Sequence, residues 1–182
     1  MLETQLTALM LGLERGTVEL VPHQEEWKHH YENEVAHLKA VAGERLLDFE
    51  HIGSTAIEGV PAKPIIDILA VVEDLEAVRD LIPAFEESGY EYRADDDVRG
   101  RLFFAKGPRT NRTHYLSLAE RDSDFYDEKI AFREYLRAHP EVAEQYASIK
   151  RALAEKYPET REKYTAEKSD FIRDVLDRAM RT

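Results

Sequence analysis

The chain has 182 residues, 43% of them hydrophobic, and a formal net charge of −12. That length fits one domain with enough apolar residues for a core, and the acidic surplus argues against non-specific binding along a nucleic-acid backbone. Its lack of cysteine excludes disulfides, thiolate metal sites and a cysteine nucleophile, and no apolar run approaches the roughly 20 residues of a membrane span.

Residues 1–16 read as a short helix ending near Gly12 or Gly16, a loosely attached extension. No basic region followed by an apolar stretch opens the chain, so a cytoplasmic protein is expected. Thr17–Val21 is β-prone and Pro22 stops it. Trp27, Tyr31, Val35, Leu38 and Val41 recur at spacings of four and three, which predicts a helix closed by Gly43. Arg45–Ile52 reads as a strand ending at Gly53-Ser54, followed by a loop with Gly59, Pro61 and Pro64. Ile65–Val72 is a nearly continuous apolar run, as in a strand buried on both faces.

A helix over 74–88 follows, ended by Gly89. Tyr90–Arg93, Arg101–Lys106 and Arg112–Leu118 are predicted strands separated by polar turns. From Ser123 onward the chain is helical, and Pro140 and Pro158 divide it into three helices. The order predicts an α+β fold: a small mixed sheet flanked by helices, with a helical C-terminal region over 123–181. Residues 17–182 form one predicted domain.

A strand ending in Gly-Ser suits a phosphate. Glycine lets the backbone turn tightly and approach a ligand. The hydroxyl of Ser54 and the N–H groups that follow, Thr55 included, can then face an anion. After twelve intervening residues comes Asp67, inside the apolar strand. A carboxylate there needs compensation, and a divalent cation such as Mg²⁺ is one candidate. The alternative is a plain turn, with Asp67 capping a helix or paired with Lys63.

His51–Thr55 and Gly59–Ile68 read His-Ile-Gly-Ser-Thr, then Gly-Val-Pro-Ala-Lys-Pro-Ile-Ile-Asp-Ile. With Phe132–Arg137, Tyr146–Lys150 and Tyr164–Lys168, this resembles the GrpB (UPF0157-type) family, over about residues 17–178. That family belongs to the DNA polymerase β-like nucleotidyltransferase superfamily. The resemblance implies a nucleotidyltransferase-like fold and a Mg²⁺-dependent transfer of a nucleotidyl group from a nucleoside triphosphate. Its implied partner is a nucleotide or other phosphorylated small molecule. The wider superfamily carries Asp-x-Asp, and here the second acid position is Leu69. A third acid is expected from a later strand, where this sequence offers His114. One-metal chemistry, or a non-catalytic nucleotide- or CoA-type phosphate-binding module, is therefore also open.

Further cations are candidates on the residues themselves. Lys63 in the loop before the Asp67 strand either neutralises a phosphate or sits in solvent. Arg101 either clamps phosphate oxygens or pairs with Asp95–Asp97. His114 is a candidate base, metal ligand or phosphate contact; His51 either points to the site or is an internal hydrogen-bonding group. Lys150 borders the apolar stripe Val142, Tyr146, Ile149 and Leu153. Lys168 lies within the stripe Tyr164, Phe171 and Val175. Each lysine either covers core surface with its stem or turns a cation to a shared pocket. His23, His29, His30 and His37 show no zinc-ligand geometry and read as a solvated face.

Overall fold

A computed structural model describes residues 11–181. Its organising element is strand β2, Ile66–Val72, whose apolar run is explained by burial on both faces. β1 (Asp48–Ile52) pairs with it antiparallel, and β5 (His114–Glu120) pairs with it parallel. β4 (Leu102–Lys106) and β3 (Tyr90–Tyr92) continue the sheet antiparallel, giving the order β1-β2-β5-β4-β3. The predicted mixed sheet is present.

Residue parity decides which groups meet. Ile66, Ile68, Ala70 and Val72 point to one face, where α1 (Glu26–Ala42) and α2 (Ile82–Glu87) cover them. α1 carries the expected stripe: Trp27 and Leu38 are buried, with Tyr31 and Val41 packed beside them. It ends at Gly43, whose φ of 57° is in the region that favours glycine. The predicted helix over 74–88 is only partly α-helical, because Pro83 sits at the start of α2 and a 3-10 turn, Ala77–Leu81, precedes it.

The odd-numbered residues Leu69 and Val71 point to the other face and pack with Ile52, Ala119 and Phe125. α3 (Asp124–Ala138) packs on that face, and α4 (Pro140–Lys156) and α5 (Arg161–Met180) pack against α3. Ser123 caps α3 by accepting from the Tyr126 amide. Pro140 occupies the first turn of α4, where its missing N–H costs nothing. The predicted breaks at Pro140 and Pro158 are both observed.

Most of the predicted N-terminal helix lies outside the described residues. Residues 11–16 form no helix. Gly12 donates to the Pro64 carbonyl, and Leu13 pairs with Arg112 in an isolated bridge. These residues are attached to the loops that enter β2 and β5. Thr17–Val21 is likewise not a strand, and only Val21 bridges to Ala62.

A buried polar group sits under α1. The Glu34 carboxylate accepts from the Tyr90 hydroxyl at 2.7 Å and from Lys106 at 2.8 and 2.9 Å. His114 Nε2 lies 3.7 Å from it. Burial, with help from Lys106, His30 and His37, pushes the His114 pKa from 6.5 down to about 4, against the pull of Glu34. Folded His114 is therefore neutral where an unfolded chain already binds a proton, so stability falls as pH drops from about 6.5 through about 4. Urea midpoints should decline from pH 7 to pH 4.5, and His114→Gln should flatten that decline. Parallel curves for the two proteins would contradict the assignment.

Candidate functional site

β1 ends at Ile52, which pairs with Asp67. Gly53 then turns the chain at φ 73°. A Cβ on Gly53 would stand 2.6 Å from Oδ2 of Asp67. Glycine is thus required twice, for its backbone angle and for close approach to the carboxylate. Ser54 begins a 3-10 turn, Ser54–Ala56. Its side chain acts on Tyr146, whose pKa burial pushes up to about 12 while Ser54 partly offsets the rise. Asp67 faces Gly53-Ser54, as the site reading requires.

Asp67 is half-buried at the start of β2. Its carboxyl pKa is raised by burial, and Lys63, Lys129, Arg101 and Lys168 all pull it back. Burial likewise lowers Lys63 to about 7, helped by Arg161 and Lys168 and opposed by Asp67. Lys168 falls to about 8 for the same first reason, with Asp67 opposing and Lys129 and Arg161 adding. The two amines lie over the buried Tyr164 ring, Lys168 at 4.4 Å and Lys63 at 5.7 Å. Cations crowded this way destabilise one another, and an anion relieves them.

Lys150 is only 2% exposed, more buried than the apolar Ile149 beside it. Its amine donates to the Pro61 carbonyl at 2.6 Å. Burial, then Lys168 and Lys63, holds its pKa well below the ordinary value. Lys150 therefore tethers the loop that carries Lys63. Arg101 is fixed by two bonds to Asp96, at 2.7 and 2.9 Å, and donates to Ser117 Oγ at 3.2 Å. The expected pairing with Asp95–Asp97 is found at Asp96, and Arg101 also acts on Asp67.

Gly53, Ser54, Lys63, Asp67, Arg101, Lys150 and Lys168 thus share one neighbourhood. His114 does not join them. Asp67 pairs with Tyr115 and Ile66 with His114, so the His114 side chain leaves the opposite face toward Glu34. Thr55 also turns away; its hydroxyl lies 2.8 Å from Nε2 of His51, which stacks on Tyr31. His51 and Thr55 line a neighbouring cleft of about 1200 Å³ with Arg133 and Arg137, and neither Ser54 nor Asp67 lines that cleft.

Two site residues were not singled out from the sequence. Lys129 reaches from an exposed position on α3 over the Phe125 ring, at 5.4 Å, and acts on Asp67. Its signal was available: Phe125, Lys129, Arg133 and Arg137 recur every four residues along one helix face. Arg161 starts α5, donates to the Tyr115 hydroxyl at 2.6 Å and acts on Lys63 and Lys168. Nothing in its local spacing marked it.

The sheet order, the Gly-Ser turn against a strand aspartate and the C-terminal helices give the chain a nucleotidyltransferase-like fold. The structure of terminal uridylyl transferase 4 from Trypanosoma brucei with bound dUTP matches with a TM-score of 0.51. The match covers 74% of this chain and 46% of that one at 12% identity, a likeness of fold. The chain belongs to the GrpB protein family, which matches residues 17–178. It is 41% identical over 172 residues to the glutamate-rich protein GrpB of Alkalihalophilus pseudofirmus, across 92% of this chain and 99% of that protein. The crystal structure of the conserved protein GrpB from Enterococcus faecalis matches with a TM-score of 0.83 at 36% identity, covering 90% of this chain and 98% of that one.

The Gly53 contact is testable by comparison with Gly59. Gly59 also has positive φ, 81°, but nothing lies within 4 Å of its virtual Cβ. Gly59→Ala should cost only the left-handed backbone penalty, about 1–2 kcal/mol. Gly53→Ala must also displace the Asp67 carboxylate and should cost at least about 1 kcal/mol more. Equal losses in urea denaturation would contradict the close approach.

Proposed function

We propose that this protein binds a nucleotide through its phosphates in the Asp67 pocket and transfers the nucleotidyl group to an acceptor. The observation that carries the proposal is a lone carboxylate against Gly53-Ser54, faced by lysines whose pKa values burial has lowered. That arrangement is unfavourable until an anion enters it.

In this reading Ser54 and the backbone after Gly53 hold the terminal phosphates. Lys63 and Lys168 offset their charge, and Lys150 positions the Lys63 loop. Arg101, held by Asp96, supplies a fixed cation toward the charge that develops in the transition state. An acceptor hydroxyl attacks the α-phosphorus, the bond to the pyrophosphate oxygen breaks, and pyrophosphate leaves. The acceptor proton passes to Asp67, whose raised pKa suits it to receive one. With a nucleotide as substrate, a cytoplasmic location is part of the proposal; no described helix is long and apolar enough to cross a membrane.

Mg²⁺ is the ion that the fold family implies. A pair of ions needs paired carboxylates, and these residues do not supply them. Leu69 is wholly buried in the core, and Tyr115 and Ser117 occupy the facing positions on β5. Among the described residues, no group of three or more histidines and acids is placed to hold a metal. The steps above therefore use side chains alone. Leu69 is also the observation that favours the second reading, a nucleotide- or CoA-type phosphate-binding module without transfer.

The test incubates the protein with each α-labelled nucleoside triphosphate and a metabolite extract. Label should pass to an acceptor, and Asp67→Asn should slow this by about 10²–10⁴-fold. Transfer at the wild-type rate in the variant would rule out the role given to Asp67. Binding without transfer in the wild type would establish the second reading.

A further inference from the structure

Resting on the nucleotide reading, we propose that the pocket holds the polyphosphate chain with its own lysines and arginines and needs no divalent cation to bind it. Mg²⁺ in a phosphate site is held by one or two carboxylates together with waters and phosphate oxygens, and a two-ion site needs its carboxylates paired. Here the positions around Asp67 carry other groups. The position two residues along β2 is Leu69, part of the core. The position paired with Asp67 on β5 is Tyr115, whose hydroxyl accepts from Arg161 at 2.6 Å. Two residues further is Ser117, whose hydroxyl accepts from Arg101 at 3.2 Å. Neither β5 position carries an acid, and the hydroxyl at each accepts from an arginine.

The remaining sides are also cationic. Lys63 comes from the loop before β2, Lys129 from α3, Lys150 from α4, and Lys168 and Arg161 from α5. Asp96 is taken up by Arg101, and Glu128 acts on Lys129. Among the described residues Asp67 is left as the carboxylate on which Lys63, Lys129, Arg101 and Lys168 converge. A divalent ion would be repelled by the guanidinium charges of Arg101 and Arg161 and by Lys63 and Lys168 in their protonated forms. A phosphate chain carries several negative charges and would be attracted, and lysine binds phosphate as a point charge without metal help.

This assignment reverses the expected sign of one substitution. If Asp67 holds a metal that holds the phosphates, Asp67→Asn weakens binding. If lysines hold the phosphates directly, Asp67 repels them, and Asp67→Asn tightens binding.

The experiment is calorimetric titration of the full chain with ATP and, separately, with inorganic triphosphate, each in EDTA and in Mg²⁺. The wild-type dissociation constants in EDTA should lie within about threefold of those in Mg²⁺ or be tighter. Asp67→Asn should bind more tightly in EDTA. Lys63→Gln with Lys168→Gln should weaken both probes by about tenfold or more. Circular dichroism checks that the variants fold, and the wild-type comparison stands without them. If both probes bind only with Mg²⁺, or folded Asp67→Asn binds more weakly in EDTA, the inference is overturned and the nucleotide reading stands. If triphosphate binds in EDTA but ATP binds in neither buffer, the lysine cage is upheld and the nucleotide reading fails. If neither probe binds in either buffer, both fail.

Discussion

One acid among many cations sets the character of this protein. Asp67 enters the sheet at the start of β2, and the Gly53 backbone closes against it so tightly that no Cβ fits. Four cations from the β2 entry loop, the segment preceding β4, α3 and α5 act on that carboxylate. None of these charges is stable alone in so enclosed a place. The C-terminal helices are therefore more than a lid of apolar surface. They bring cations from distant parts of the chain to a single strand end, Lys150 and Lys168 from apolar helix stripes and Lys129 from an exposed position.

The sheet separates two polar systems with different roles. On one face Glu34, Tyr90, Lys106 and His114 are mutually bonded or in ion-pair range, a closed set that satisfies itself beneath α1. On the other face Lys63 and Lys168 sit over the ring of Tyr164, and among the described residues Asp67 is the acid that offsets them. The Tyr164 hydroxyl is buried without a hydrogen-bond partner among the described residues. Closed networks lend specificity to a fold. Open ones, with surplus charge of one sign, mark places where a ligand completes the balance.

Much of the fold was legible. The run Ile65–Val72, the Gly-Ser turn and the proline breaks at 140 and 158 each have a local physical cause, so periodicity and turn chemistry found them. The convergence of Ser54, Asp67, Lys150 and Lys168 was also readable, because the lysines stand where apolar residues belong. His114 was placed wrongly for a definite reason. Spacing within a strand fixes its alternation, but the register between parallel strands is long-range information. Here Asp67 pairs with Tyr115, and that one-residue offset sends His114 to the other side. Lys129 escaped notice because an exposed helix lysine looks ordinary until its tertiary neighbour is known. Thr55 was grouped with Ser54 by adjacency, yet its hydroxyl bonds His51 instead.

The central claim is that the Asp67 pocket, and not the neighbouring cleft, receives phosphate. The direct measurement is a crystal structure of the protein with a non-hydrolysable nucleoside triphosphate. The account predicts phosphate density between the Gly53-Ser54 turn and the amines of Lys63 and Lys168. Phosphates seated instead in the cleft lined by His51, Arg133 and Arg137, with the lysine cage unchanged, would contradict it.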